Sequence, residues 1–344
     1  MQLDFQLHRQ FDKSTTGTEV AETFKNRIRG KHILITGANP NSIGEATAYA
    51  VASSNPGLLI LASRTRTKLT AVAAHIQEQH PALRIQIVVA NLADQTSVRE
   101  AAQQIKSVTN RLDILINNAG GVSLSREQWS PDGMELAFAT NHIGPFLLIN
   151  MLLPILLETA RDIEPGATRI INVSSSAHMI SPIRFSDYNF EAKASLPQRE
   201  QPRKNLPEHL YEQQGGFPGM VASGASKMAS VLFTVALNER LRSSGIQGFA
   251  VNPGDVLSGH TREVGPEFLK VTGATPPEAW KSSDQGCATS LVAAFDPSLA
   301  DSGVLYLSDC QEARPARWAS DKSTAEKLWG LSEKLVTNTG ESRL

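Results

Sequence analysis

Only two cysteines, Cys287 and Cys310, occur in 344 residues. That is too few for a disulfide framework and fits a reducing compartment, where they read as small buried hydrophobes. No His/Cys spacing suggests a metal, and no Gly-x-Ser-x-Gly nucleophile elbow is present. Neither sign of charge dominates: 33 Lys and Arg stand against 34 Asp and Glu, a net charge of −1. Bulk attraction to nucleic acid or to an anionic membrane is therefore not expected. Long apolar runs are also lacking. The greasiest stretch, Phe146 to Leu157, is interrupted by Asn150 and Pro154 and falls short of the roughly 20 residues that span a bilayer; it reads as a buried helix. The N-terminal residues mix charge throughout, without the apolar run of a secretory signal. The chain contains no internal repeat or low-complexity tract. These absences lead to the expectation of a soluble, cytoplasmic protein without an integral membrane segment.

What is present is an ordinary globular composition, 41% hydrophobic and 19% charged, enough for one large α/β domain. From Lys31 onward, apolar strand-like runs alternate with helix-like segments. Strands are expected at His32–Thr36, Leu58–Ala62, Ile85–Val89, Leu112–Ile116, Arg169–Val173, Gly248–Val251 and Val304–Leu307. Helical patterns surround Ala46–Ala52, Leu69–Gln79, Val98–Val108, Met134–Leu157, Lys227–Leu241 and Gln285–Ala294. Right-handed βαβ units of this kind predict a single doubly wound Rossmann-type α/β domain: a parallel seven-stranded sheet with helices on both faces. Residues 1–30 form an N-terminal helical extension, marked by Val20, Phe24 and Ile28 at four-residue spacing and by Thr16 and Glu19 spaced as a capping box. The domain proper runs over 31–336. Within it, 182–220 is polar, proline-bearing and aperiodic, which favours a substrate lid over a disordered insertion. A last helix, Thr324 to Val336, carries Leu328, Leu331 and Leu335 on one face, and 337–344 is expected to be a disordered tail.

The segment Thr36-Gly37-Ala38-Asn39-Pro40-Asn41-Ser42-Ile43-Gly44 follows the first strand and opens a helix. A glycine turn lets backbone approach a pyrophosphate, and a helix N-terminus offers free N–H groups and the positive end of its dipole. Strand–turn–helix context makes this a nucleotide site rather than an incidental glycine pair. After the second strand come Arg64, Arg66 and Lys68 with no carboxylate. An acidic residue there would bind a ribose 2′-hydroxyl, whereas arginine accommodates a 2′-phosphate, so NADP (NADPH) is the expected cofactor, with Arg64 as its contact.

At these residues the chain resembles the short-chain dehydrogenase/reductase (SDR) family, over about Lys31 to Val336. It keeps Gly37 and Gly44 of the family's turn but is one residue longer at Pro40 and has Ser42 for the middle glycine. Further family blocks fall in order: Asn117-Asn118-Ala119-Gly120, Asn141-His142, Asn172-Val173-Ser174-Ser175 and Asn252-Pro253-Gly254. Ala62-Ser63-Arg64, the run to His178, and Val231-Leu232-Phe233-Thr234 are similar to the retinol-dehydrogenase-like branch. The long insertion and Ala325-Glu326-Lys327-Leu328-Trp329 are similar to members serving fungal secondary metabolism. The resemblance implies cofactor contacts from Gly37, Ser42, Ile43, Gly44, Arg64, Asn91, Leu92, Asn118, Lys227, Val256 and Ser258. It implies a catalytic set of Asn141, Ser175 and Lys227, with Ser223 where relatives carry the proton-donating tyrosine.

Tyrosine's reference pKa is near 10 and an adjacent ammonium lowers it, whereas an aliphatic hydroxyl is a far weaker acid. Losing a general acid costs about 10²–10⁴ in rate. Three functions stay open at this point. One is an NADP(H)-dependent oxidoreductase reducing a carbonyl or imine of a bulky apolar metabolite. The others are a non-redox cyclase, isomerase or dehydratase on the same scaffold, and a non-catalytic NADPH-binding protein. Asp255, His260, His178, Tyr188 and Tyr211 are candidates to replace the lost donor, although each reads more readily as a surface or loop-stabilising group. The apolar stretches Phe146 to Leu157 and Met228 to Leu237 make a homodimer possible.

Overall fold

In the computed structural model, residues 10–121, 129–191, 195–203, 217–256, 280–300 and 302–337 are described. The strands β1 (His32–Thr36), β2 (Leu58–Ser63), β3 (Ile85–Val89), β4 (Ile114–Asn117), β5 (Thr168–Val173), β6 (Ile246–Asn252), β7 (Tyr306–Ser308) and β8 (Gln311–Glu312) form one sheet, in the order β3-β2-β1-β4-β5-β6-β7-β8. Pairings from β3 through β7 are parallel, and β8 is antiparallel to β7. The expected seven parallel strands are therefore joined by a two-residue eighth. Asp309 and Cys310, both at positive φ (52° and 62°), make a tight hairpin whose backbone twist suits antiparallel pairing.

The core follows the two-residue period of the strands. Leu34 and Ile60 belong to one apolar cluster, while Ile33, Ile35, Leu59 and Leu61 belong to the other. The first cluster takes in α5 (Gln95–Val108), α7 (Gly144–Arg161) and α8 (Gly219–Leu241); the second takes in α3 (Ile43–Ala52), α4 (Arg66–Gln79) and α9 (Ser283–Phe295). Burial of both sheet faces accounts for strands that read as continuous apolar runs.

The N-terminal extension is helical but broken at Phe24, into α1 (Gly17–Thr23) and α2 (Lys25–Ile28). Its expected capping box is present, with Thr16 and Glu19 bonded reciprocally. α1 packs on α3 and α9, and Thr18 N–H donates to the Asp284 carboxylate at 3.1 Å.

The segment expected as one helix over Met134–Leu157 is three pieces. A short turn, α6 (Leu136–Phe138), is followed by a π-helical turn, Ala139–Ile143, and then by α7. The cause is local. Pro145 has no N–H to give the carbonyl of Asn141 four residues back, and Gly144 N–H reaches Ala139 O five residues back instead. The released Asn141 carbonyl accepts from Ser230 Oγ of α8 at 3.3 Å.

The helices Leu136–Arg161 and Gly219–Ser244 are long and apolar enough to cross a membrane, but 67% and 94% of their apolar windows are buried inside the domain. They serve as its core helices. The last helix, α10 (Lys322–Thr337), lies on α8 and the π turn. Its inward residues are Ala325, Leu328, Ser332 and Val336, so Leu331 and Leu335 flank that face. Trp329 packs on Phe146 (centroids 4.9 Å) and Phe233 (6.0 Å), under the Arg240 guanidinium at 4.0 Å. The apolar face considered for a second copy is thus partly covered by the chain's own C-terminal helix.

Candidate active site

Strand order reverses between β1 and β4, and the crevice outside the carboxyl ends of such strands is where open α/β sheets bind ligands. The β1–α3 loop there is a closed, braced turn. Gly37 has φ +74°, and a Cβ on it would lie 2.7 Å from the Ala119 Cα. A Cβ on Gly44 would lie 2.5 Å from Gly37 O and 2.6 Å from the Asn118 amide nitrogen. Both positions therefore need glycine for close packing of loop, helix and β4 end. Asn118 Nδ2 donates to Thr36 O at 2.9 Å, and Ala119 N–H donates to Thr36 Oγ1 at 3.0 Å. Asn118 thus ties the loop to the β4 end.

Ser42 caps α3: its Oγ accepts from Glu45 N–H at 3.1 Å and donates to Asn39 O at 2.6 Å. Asn41, at φ 58°, gives its N–H to the Glu45 carboxylate at 2.5 Å. The extra residue at Pro40 and the serine in place of glycine are absorbed this way. Among the described residues the backbone N–H groups of Ile43 and Gly44 bond to nothing, and the buried Asn39 Oδ1 is also unpartnered. Open donors at a helix N-terminus suit a pyrophosphate, and a lone acceptor oxygen suits a ribose hydroxyl. The residues present fit a dinucleotide.

Arg64 is exposed at the β2 end and makes no hydrogen bond or ion pair with any described residue. Asn91 is half-buried, its Oδ1 accepting from Ala93 N–H at 3.3 Å. Leu92 is a packing residue whose carbonyl sits 2.1 Å from where a Gly144 Cβ would fall. Ile43 and Val256, far apart in sequence, converge: both lie within 3.4 Å of the place a Gly286 Cβ would take. Ser258, His260 and Tyr211 lie outside the described residues.

The catalytic candidates gather where β5, the π turn and α8 meet. Asn141 Oδ1 accepts from Gly121 N–H (2.8 Å), while its Nδ2 donates to Gly121 O (2.9 Å) and to Ser226 Oγ (2.8 Å). Ser226 in turn donates to Ser223 O at 2.7 Å. Lys227 Nζ donates to Val173 O at 3.0 Å, and Ser174 Oγ donates to Lys227 O at 2.9 Å. A Cβ on Gly120 would stand 2.9 Å from Lys227 Nζ and 3.3 Å from Asn141 Oδ1, so glycine is what lets these two groups share one corner. Burial, with no carboxylate among the described residues in compensation, pushes the Lys227 ammonium down to about 8.

Ser175, half-buried at the β5 end, caps a one-turn 3-10 helix (Ser176–Met179), its Oγ accepting from Ala177 N–H at 3.2 Å. Ser223 is buried one helical turn before Lys227, between Val221, Ala222 and Ala225, which pack with Phe190 and Phe217. Within the described parts of 182–220, Ile183, Phe190, Glu200 and Phe217 are buried and Glu200 accepts from Ser186 N–H at 2.9 Å, whereas most of 195–203 is exposed.

Other named residues make packing and hydrogen-bond contacts. Asn117 Nδ2 donates to Asn172 Oδ1, and Asn172 Nδ2 to Thr234 Oγ1, both at 2.9 Å; together they pin β4 and β5 to α8. Tyr188 lies against Phe138 with centroids 5.8 Å apart, and Asp255 O accepts from Lys281 N–H at 2.8 Å. Cys287 and Cys310 are free and buried, with burial pushing both thiols up. Sequence reasoning gave no separate role to Asn39, Gly120, Pro145 or Ser226. Pro145 was legible in principle, since a proline just inside a helix frees a carbonyl one turn back.

The short chain dehydrogenase family model matches residues 31–195. The chain is 36% identical over 245 residues to the oxidoreductase fscI of Fusarium equiseti, covering 71% of this chain and 94% of that protein. It is 34% identical to retinol dehydrogenase 12 of Mus musculus, covering 90% and 87%. The NADPH-bound carbonyl reductase from chicken fatty liver shares the fold, with a TM-score of 0.57 at 24% identity, covering 83% of this chain and 99% of that one. The chain belongs to the short-chain dehydrogenase family and is an oxidoreductase of that family.

Proposed function

We propose that the protein binds NADP(H) and reduces a carbonyl or imine of a bulky apolar metabolite, using Lys227, Ser175 and Asn141 without a phenol at position 223. The observation that carries this reading is the Lys227 ammonium. It is half-buried, donates to the Val173 carbonyl, shares a corner with Asn141, and stands one helical turn from the Ser223 hydroxyl. Arg64, unpaired among the described residues, is available to a 2′-phosphate, and the Ile43 and Gly44 N–H groups are available to the pyrophosphate. When bound, the reduced nicotinamide supplies the hydride.

The protein's residues then have to orient the acceptor and deliver a proton. Ser175 Oγ orients the acceptor heteroatom. Lys227, protonated at neutral pH yet poised to lose its proton near pH 8, feeds a water in place of the missing phenol. An iminium, already protonated, would need no such donor. The apolar surroundings of the first turn of α8, Phe190, Phe217 and Val221, favour an apolar substrate.

The test is to titrate the protein with NADPH and NADH, then follow NADPH oxidation with carbonyl and imine probes in the native protein and in Ser223→Tyr. NADPH binding is expected, with ketone reduction rising by about 10²–10⁴ in the variant. Conversion of a substrate without NADPH consumption, or failure to bind either nucleotide, would refute the reading.

A further inference from the structure

His178 is almost fully buried, at 1% exposure, three residues after Ser175, and both of its ring nitrogens are bonded. Ala316 N–H donates to Nε2 at 2.9 Å. A backbone N–H can only donate, so Nε2 carries the lone pair and the ring proton sits on Nδ1. Nδ1–H then donates to Ser175 O at 2.6 Å. The tautomer is thus fixed by its partners. The imidazole also lies against the Tyr306 ring of β7, centroids 5.1 Å apart, and no charged side chain among the described residues bonds to it. Burial holds its pKa below the ordinary histidine value, which keeps the ring neutral in this bridge.

The bridge spans two parts of the chain that are remote in sequence. One end is the main chain of Ser175, where β5 gives way to the one-turn helix that lies on α8. The other end is Ala316, directly before the 3-10 turn Arg317–Ser320, which packs on α8 and leads into α10. We propose that His178 is a positioning residue: by joining Ser175 O to Ala316 N–H it fixes the backbone from which the Ser175 hydroxyl projects, so that the C-terminal segment sets the geometry of the active-site serine. This rests on the assignment of Ser175 to the reaction made above. Its reasoning is geometric, since a 1 Å misplacement of a catalytic group can cost about a hundredfold in rate.

Two measurements test it on the full chain. In histidine-labelled protein, ¹⁵N NMR is expected to find one ring, absent from His178→Gln, as the neutral Nδ1–H tautomer and unchanged between about pH 6 and 8. An Nε2–H tautomer, or titration at the ordinary value, would overturn the bridge. The second measurement is NADPH oxidation with an aromatic α-diketone as probe, in the native chain, His178→Ala, His178→Gln and Ser175→Ala. His178→Ala is expected to lower kcat by about ten- to a hundredfold while the Kd for NADPH stays unchanged. Glutamine, whose amide can donate and accept the same pair of bonds, is expected to recover most of the loss. Native kcat in His178→Ala beside a collapsed Ser175→Ala overturns the positioning role and leaves the assignment of Ser175 standing. Native kcat in Ser175→Ala overturns that assignment itself and the positioning role with it.

Discussion

Replacing Lys227 with methionine should stabilise the cofactor-free protein while destroying its function, because the half-buried ammonium is partly stripped of water at an energetic cost. Burial lowers its pKa from 10.5 to about 8. At about 1.4 kcal/mol per unit, that difference corresponds to roughly 3 kcal/mol of destabilisation whenever both folded and unfolded chains carry the charge. The sign follows from proton counts. Below pH 8 both states are protonated and the full cost is borne. Between pH 8 and 10.5 the unfolded chain still binds the proton and the folded chain does not, so stability rises with pH. Above 10.5 both states are neutral and the cost is gone.

Methionine matches the lysine stem in length and carries no charge, but it leaves Val173 O without its 3.0 Å partner. That loss offsets about 1 kcal/mol. Lys227→Met should therefore gain about 2 kcal/mol at pH 7, measured by urea unfolding of apoprotein, and the gap should close as pH rises from 8 to 10. NADPH oxidation by the variant should fall below detection. A variant that is destabilised at pH 7, or whose advantage does not change with pH, would refute the picture of a desolvated ammonium.

Three other outcomes follow from the same geometry. Arg64→Ala should weaken NADPH relative to NADH by about ten- to a hundredfold, the worth of a charge-assisted hydrogen bond of roughly 1.5–3 kcal/mol; an unchanged Kd ratio would remove Arg64 from the 2′-phosphate site. Gly120→Ala sets a Cβ 2.9 Å from Lys227 Nζ, displacing a flexible chain end rather than backbone. Its activity should drop by about tenfold or more with the Tm nearly unchanged, and a large Tm loss would point to a purely structural glycine. His142 is buried against Phe138, Phe146 and Phe233, and burial pushes its pKa down to about 3. Its contribution is complete above about pH 6.5 and is lost as pH falls, by about 2 kcal/mol at pH 5. His142→Phe should lose correspondingly less stability between pH 7.5 and 5 in urea unfolding, and equal losses would refute it.

Much of the fold was legible because both faces of the sheet are buried. The parallel strands read as largely apolar runs, which the polar edge strand β8 does not, and the turns between them are marked by Gly37, Asn118 and Gly254. β1 and β3 fall on the expected residues. β4 begins two residues late, since Leu112 N–H is taken by Thr159 Oγ1. Apolar periodicity predicts a continuous helix over Met134–Leu157 because it records which residues are inside. It does not record which backbone carbonyls lack a donor, and Pro145 breaks the hydrogen-bond register there without breaking the apolar pattern. The site was legible as an ordered set of residue types, but not as an arrangement. Asn118 and Ser42 brace the loop, Leu92 packs against Gly144, and His178 ties Ser175 to a segment 138 residues away in sequence.

The sequence by itself determined the layer architecture, the position of the glycine-bearing β1–α3 loop and the residue types at Asn141, Ser175, Ser223 and Lys227. Each of these is written in local periodicity or in a short contiguous motif. The tertiary structure alone decided that Lys227 and Asn141 share the corner vacated by Gly120, that Ile43 and Val256 both approach Gly286, and that the C-terminal helix partly covers the α7–α8 face. These are contacts between elements remote along the chain, fixed by how close-packed layers meet, and no local pattern of residues encodes them.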